Sequence, residues 1–342
     1  MRRVLLAIGL IFLVARTVAA MEIEDQGVFG SPDQPTVRIV STTDSEIFAP
    51  LIEAFVAENP RISVSYTVTS TRALYQAYVQ EAPDFDLAVS SAMDLQMKLA
   101  NDGFAAPYAS PHTQALPSWA RWRNHLFAFT QEPVVLALSR AGFDGLPIPR
   151  TRDYLIRLLR ENPEHFKGRI GTYDPNLSGA GYLFDTQDAR HSDTFWRLSE
   201  LIGGLDPALF ASSGAMIAAL QSSEIFLAYN VLGPYAESRL NDWPDGQILE
   251  LQDHTNVLLR TAFIPTRAAQ PDLGAAFLDF LLSESGQRLL ASESGLPRID
   301  EGALSRQPHL RPIRLDPGLL VFVDPLKRSK FLSEWSAAVI QP

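Results

Sequence analysis

Between residues 37 and 101 the chain alternates strand-like and helix-like patterns, and this alternation constrains the fold more than any other feature. "VRIVS" (37–41) reads as a strand. The stretch 46–58 then sets Ile47, Leu51, Ile52, Phe55 and Val56 on one helical face. Pro50 is tolerated only near a first turn, so that helix starts close to Glu46. "NPRISVSYTV" (59–68) turns at Asn59-Pro60 and enters a second strand alternating Ile62, Val64, Tyr66 and Val68. "TSTRALYQAYVQE" opens a second helix behind Ser70 and Thr71, and "DFDLAVSSAMDLQMKLAN" gives a short buried strand, two serines and a third helix. A β-α-β-α-β-α beginning predicts an α/β fold with a parallel sheet covered by helices. Ligands of such sheets sit beyond the carboxyl ends of the strands. Here those ends are Ser41-Thr42-Thr43-Asp44, Thr69-Ser70-Thr71-Arg72 and Ser90-Ser91.

Hydroxyl-rich strand ends admit two readings. Ser, Thr and Asp cap helices by accepting from orphan N–H groups. The same residues, with the helix N-termini behind them, form an anion cradle. Recurrence at successive strand ends favours a site, with Thr42, Thr43, Asp44, Ser70, Thr71, Ser90 and Ser91 as its first-lobe candidates. Arg72, in the first turn of its helix, either reaches that site or stands solvated.

Two long strand-like segments, "HLFAFTQEPVVLALSR" (125–140) and "TNVLLRTAFIPT" (255–266), bracket a middle block. That block holds helical patterns near 151–161 and 192–201 and the strand-like "IFLAYN" (225–230). This arrangement predicts a chain that leaves one lobe and returns to it: lobe one at 36–128 and 264–342, lobe two at 129–263, with 21–35 as an exposed leader. In lobe two, "TYDPNLSGAGYLF" offers Ser178, Gly179, Ala180 and Gly181 ahead of Tyr182. Small residues let backbone N–H groups approach an anion; an ordinary glycine-rich turn has the same spacing. Arg260, inside an apolar crossing strand, requires a partner. Either the ligand or Glu132, in the other crossing, supplies it; Glu132 is itself a candidate acceptor for ligand hydroxyls if it is not the partner of Arg260.

The first twenty residues, "MRRVLLAIGLIFLVARTVAA", combine Arg2 and Arg3, an apolar run and a small-residue end, the pattern of a cleaved export signal. The run is too short to span a bilayer, which takes about 20 apolar residues. The expected product is a soluble periplasmic protein starting near Met21. The chain has no cysteine, which excludes disulfides, thiolate chemistry and a lipid-modified cysteine anchor. Its net charge of −10 argues against nucleic acid or an anionic membrane as partner. A small anion is still admissible, because local donors outweigh a mean field screened over about 8 Å. The six histidines are scattered without metal spacing, and "SSGAM" (212–216) lacks a nucleophile elbow, so an enzyme is not expected.

The segments "VRIVSTTDSEIFAPLIEAFVAENPRISVSY", "DFDLAVSSAMDLQMKLANDGFAAPY" and "IPTRAAQPDLGAAFLDFLLSESGQRLL" carry a resemblance that runs from about 37 to 296. They resemble the extracellular solute-binding proteins of ABC importers, in the branch that includes ferric-iron, hexose-phosphate and phosphoglycerate binding proteins. The resemblance implies a type II-like periplasmic binding protein of two α/β lobes, joined by two hinge strands and closing on a ligand. It also implies no cofactor and no chemistry on the ligand. Ferric members use an adjacent tyrosine pair, which would fall near Leu232 and Gly233; no Tyr-Tyr pair occurs in this sequence. Iron requires hard anionic oxygen ligands, so ferric binding is not expected. Tyr229 and Asn230 lie close to that position and are expected to face the cleft. The segment after Pro312 resembles members associated with two-component sensors. The implied partners are therefore a small anionic metabolite (neutral sugars being the main competitor) and either an ABC permease or a membrane sensor kinase, with the protein itself monomeric.

Overall fold

A computed structural model describes residues 21–80 and 83–341. The expected export signal lies outside the described residues. Strands β1 (Asp25–Phe29) and β2 (Thr36–Ser41) lead into helix α1 (Ser45–Glu58), followed by β3 (Ser63–Val68), α2 (Thr71–Gln80), β4 (Leu87–Ser90) and α3 (Met93–Asn101). Helix α4 (Pro111–Ala115) and strands β5 (Arg121–Trp122) and β6 (Leu126–Ala128) precede the long strand β7 (Glu132–Ser139). Next come α5 (Arg152–Glu161), α6 (Pro163–Phe166), β8 (Ile170–Tyr173), α7 (Gly179–His191) and α8 (Thr194–Gly203). The block closes with β9 (Ala208–Phe210), α9 (Ser213–Gln221), β10 (Leu227–Leu232), α10 (Gly233–Leu240), β11 (Gly246–Leu249) and β12 (Thr255–Leu258). The remainder is β13 (Thr261–Phe263), α11 (Pro271–Leu282), α12 (Glu284–Ser292), α13 (Glu301–Arg306), β14 (Leu310–Pro312), α14 (Leu320–Val323) and α15 (Pro325–Val339).

Two sheets organise two lobes. The first has the order β1-β3-β2-β4-β13-β6-β5; the second has β14-β12-β7-β10-β8-β9, with β11 also on β7. Strand β2 runs parallel to β3 and β4, as a right-handed β-α-β run requires. Aromatic packing fills the first core: Phe48 stacks on Tyr66 at 5.3 Å, and Phe55 meets Phe277 edge-on at 4.8 Å. The second core gathers Leu155, Leu159, Phe166, Ile170 and Leu198. Among the described residues, no helix is long and apolar enough to cross a membrane.

The chain passes between the sheets at 129–131 and again at 259–260. Three boundaries differ from the sequence reading. The segment 21–35 is more than an exposed leader, because β1 pairs antiparallel with β3 from Asp25↔Val68 to Phe29↔Val64. An edge strand needs only backbone partners, so its polar composition concealed it. The second crossing ends before β13, which pairs with β4 and β6 and belongs to the first sheet rather than to lobe two. The tail, assigned above to lobe one, spans both lobes. β14 pairs in parallel with β12 of the second sheet, α14 packs on α3, and α15 packs on α8. Phe331 and Trp335 of α15 join Tyr182 and Phe195 in a buried aromatic cluster, a larger apolar gain than solvation offers that helix.

Gly203, at the end of α8, makes this docking possible, since a Cβ there would overlap the Ala338 carbonyl oxygen. Gly203→Ala is expected to detach α15 while leaving both sheets intact. Limited trypsinolysis should then cut faster at Lys327, Arg328 and Lys330. Unchanged cleavage rates would refute this account of the tail.

Candidate functional site

A cavity of about 300 Å³ opens between the lobes. Lobe one supplies Thr42 and Asp44 from the β2–α1 junction, Thr69, Ser70 and Thr71 from β3–α2, and Ser91 from β4–α3. Lobe two supplies Tyr173 and Ser178 from β8–α7, Ser212 to Gly214 at the start of α9, and Leu232 and Tyr235 at the start of α10. The N-terminal ends of six helices therefore border one small space, through first-turn residues in α2, α7, α9 and α10 and through the preceding residues Asp44 and Ser91 for α1 and α3. Each first turn leaves N–H groups without an intrahelical partner and carries the positive end of a macrodipole.

Capping and lining turn out to be compatible roles. Ser70 Oγ accepts from Ala73 N–H at 3.1 Å, Ser178 Oγ from Gly181 N–H at 3.1 Å, and Ser212 Oγ from Ala215 N–H at 3.2 Å. All three serines still line the cavity. Thr42 Oγ1 accepts from Ser91 N–H at 3.1 Å and sits 3.4 Å from Ser91 Oγ, tying two strand ends together. Asp44 makes no side-chain cap. Its carboxylate instead accepts from Arg239 at 3.3 Å, and its N–H donates to the Tyr235 hydroxyl at 3.4 Å, both across the cleft. Thr71 Oγ1 accepts from Gly179 N–H at 3.0 Å, a further link between lobes.

The electrostatics of the lining are mixed. Glu24 reaches it from the segment before β1, and its carboxyl is held above the usual range by desolvation at the cleft wall, then by Asp44 and Glu22. Burial pushes the Tyr235 phenol up to about 12, with Arg260 opposing and Asp44 reinforcing the shift. Burial likewise raises Tyr173, whose hydroxyl lies 2.5 Å from Ser213 Oγ. Both phenols are neutral hydrogen-bonding groups at neutral pH.

Of the residues expected to bind ligand, Thr42, Asp44, Ser70, Thr71, Ser91, Ser178 and Ala180 line this cavity. Thr43, Ser90 and Gly181 are buried behind it. Thr43 is held by Tyr66 and Arg260; Ser90 Oγ accepts from Ala92 N–H; Gly181 packs on Tyr173, which a Cβ would overlap. Arg260 and Glu132 resolve to the buried pair: Arg260 Nε and Nη2 each lie 2.8 Å from a Glu132 carboxylate oxygen, at the point where both crossings meet. Arg260 also donates to Thr43 Oγ1 at 2.6 Å.

Tyr229 and Asn230 do not face the cleft. A bulge in β10 between Ala228 and Val231, with Asn230 at φ 64°, turns both toward Asp188 inside lobe two. Asn tolerates that left-handed conformation better than most residues. Arg72, Gly179 and Tyr182 line a different cavity, on the far side of the Thr71–Gly179 contact. The residues missed by sequence reasoning are Glu24, Thr69, Tyr173, Ser212, Ser213, Gly214 and Tyr235. Ser212 to Gly214 carried a signal, because they repeat the pattern of hydroxyls between a strand and a helix.

Comparison with known proteins agrees with this architecture. No curated protein sequence matches the chain. The profile of the family "Bacterial extracellular solute-binding protein" matches residues 37–294. A substrate-binding protein of an ABC transporter from Agrobacterium tumefaciens shares 32% identity over 92% of this chain and 98% of its own, with a TM-score of 0.88. AfuA from Actinobacillus pleuropneumoniae, solved with exogenous fructose-6-phosphate, shares 16% over 90% and 99%, at 0.73. Iron-bound HitA from Pseudomonas aeruginosa shares 18% over 89% and 99%, at 0.67. The last two likenesses establish the two-lobed periplasmic binding fold and nothing finer. The extent of the profile match and the Agrobacterium likeness go further: the chain belongs to the bacterial extracellular solute-binding proteins, a non-enzymatic family.

Proposed function

We propose that this protein captures a small organic anion, a phosphorylated or carboxylated metabolite, in the interlobe cleft of a periplasmic carrier and delivers it to an ABC permease. The observation that carries this reading is the convergence of six helix N-termini and their hydroxyl side chains on one cavity. Hydrogen bonds to a charged group contribute roughly 1.5–3 kcal/mol each. A few of them, with the helix ends, suffice for micromolar binding at about −8 kcal/mol. The acidic side chains do not oppose this strongly: Asp44 is paired with Arg239, and Glu24 is suited to bond a ligand hydroxyl. Delivery to a permease is supported by the Agrobacterium relative, which is described as the substrate-binding protein of an ABC transporter.

Two competitors fare worse. Neutral sugars are commonly held on tryptophan faces, and no tryptophan lines the cleft. Trp119 and Trp122 lie in the core, Trp196 packs on Phe331, and Trp243 packs beside Gly246. Ferric binding has neither an adjacent tyrosine pair nor, among the described residues, any cluster of three His, Cys, Asp or Glu side chains able to hold a metal.

A thermal-shift screen of sugar phosphates, phosphoglycerates, di- and tricarboxylates, neutral sugars and ferric salts tests the reading. A ligand at 100 times its dissociation constant adds about 2.7 kcal/mol of stability. Anions are expected to produce that shift, and Thr42→Ala, Ser91→Ala and Ser178→Ala together to remove most of it. A response confined to neutral sugars and indifferent to those substitutions would sink the proposal.

A further inference from the structure

The second cavity, about 450 Å³, is larger than the cleft and shares no lining residue with it. Three parts of the chain enclose it: Arg72 and Tyr75 from α2 of lobe one, Asn176 from the β8–α7 turn and Tyr182 from α7 in lobe two, and Arg328 and Leu332 from α15 of the tail. The Thr71–Gly179 hydrogen bond forms the wall between the two spaces. Two guanidinium groups thus face one partly enclosed volume. Arg72 donates to the Asn176 carbonyl, and Arg328 lies over the Tyr182 ring at 5.1 Å. Neither arginine forms an ion pair with a carboxylate among the described residues.

Like charges gathered this way are unfavourable unless an anion joins them. Burial, and then the field of Arg72, hold Arg328 below its ordinary range. The carboxylate whose field reaches it is Asp94, which is buried and bonded to Leu95 N–H rather than to either guanidinium; burial pushes its carboxyl up to about 7. Beside the two arginines the lining combines the polar Gln76, Asn176 and Ser329 with an aromatic and apolar part, Tyr75, Tyr182, Leu95, Val323 and Leu332. Guanidinium forks recognise carboxylate and phosphate oxygens in two-point contacts. The volume falls within the range of small-molecule sites.

We infer that this junction is a second binding site, for a small organic anion that carries an aromatic or other apolar body. Its charged group sits between Arg72 and Arg328, and its body lies against Tyr75, Tyr182 and Leu332. An occupant there touches lobe one, lobe two and the tail at once, so it favours the arrangement in which all three meet. The inference does not depend on the identity of the cleft ligand, because the donors are different residues.

Isothermal titration of the full-length protein with phenyl phosphate, and with inorganic phosphate as comparison, tests it. Phenyl phosphate is expected to bind at least about tenfold more tightly than inorganic phosphate, and Arg328→Gln to weaken it by about tenfold or more. Arg72→Gln gives the same reading independently if Arg328→Gln lowers the melting temperature. Ser91→Ala with Ser178→Ala should leave this component unchanged. Two results would overturn the site: phenyl phosphate binding no tighter than inorganic phosphate, or binding that the cleft substitutions remove and both arginine substitutions spare. The second of these would assign phenyl phosphate to the cleft and leave the proposed function standing.

Discussion

Asp188→Ala is expected to cost about 3–5 kcal/mol of folding stability, because it leaves five buried donors without their acceptor and leaves the Arg152 guanidinium only the partly exposed Asp253 as a carboxylate partner, at 3.2 Å. Asp188 is fully buried in lobe two. It accepts from Arg152 Nη2 at 3.0 Å, the Tyr229 hydroxyl at 2.8 Å, Asn230 Nδ2 at 3.1 Å, His254 Nε2 at 3.1 Å and Asn256 Nδ2 at 2.8 Å. Burial alone would raise its carboxyl. Arg152 first, then His254 and Asn230, overcome that and hold it far below the usual carboxylate range. A depressed folded-state value contributes stability above the unfolded carboxylate pKa of about 4, and that contribution is lost as pH falls further. Urea titrations at pH 7 should show the full loss for the variant. The parent should lose stability as pH falls below about 4, and the variant should lack that component. A variant within about 1 kcal/mol of the parent at pH 7 would refute the role given to this cluster.

Glu132→Ala is expected to have an effect of the same order, and here no second carboxylate pairs with the arginine among the described residues. It leaves Arg260 buried where the two crossings meet, at about 3–5 kcal/mol. Arg260 also holds Thr43 Oγ1, so the disturbance reaches the strand end that carries Thr42 and Asp44. Cleft binding should weaken along with stability. Replacing both partners, as Glu132→Leu with Arg260→Met, should cost much less than the sum of the single changes, because neither charge is then left alone. Strict additivity in urea unfolding would show that the pair is not coupled.

How much of this was legible in the sequence depended on whether the signal was local. The first three β-α units were legible, since strand alternation, hydroxyl ends and helical faces all lie within short windows. Of the serines and threonines at those ends, Thr42, Ser70, Thr71 and Ser91 come to line one cavity, because a strand end facing a helix start has few other places to go. Tyr229 and Asn230 failed for a physical reason: the bulge in β10 re-aims both side chains, and no periodicity announces a bulge. Arg72 failed because a single step along the helix, about 100°, carries a side chain from one side of the Thr71–Gly179 contact to the other. Ser212 to Gly214 were seen only as a failed nucleophile motif, although they matched the hydroxyl pattern noted elsewhere. β14 is three residues long and carries no alternation, so the tail's membership of the second sheet was invisible until its partner β12 was in place.

That late pairing has a consequence for biogenesis. The first sheet needs β13, which follows nearly all of lobe two in sequence, and its core needs α11 behind that strand. The second sheet is completed by β14, further still toward the end of the chain. Neither lobe can finish while the other is still being made, so an emerging chain has no complete domain to lock early. Such non-local closure folds slowly. The two lobes are therefore expected to commit together, once the last strand is free, rather than one after the other.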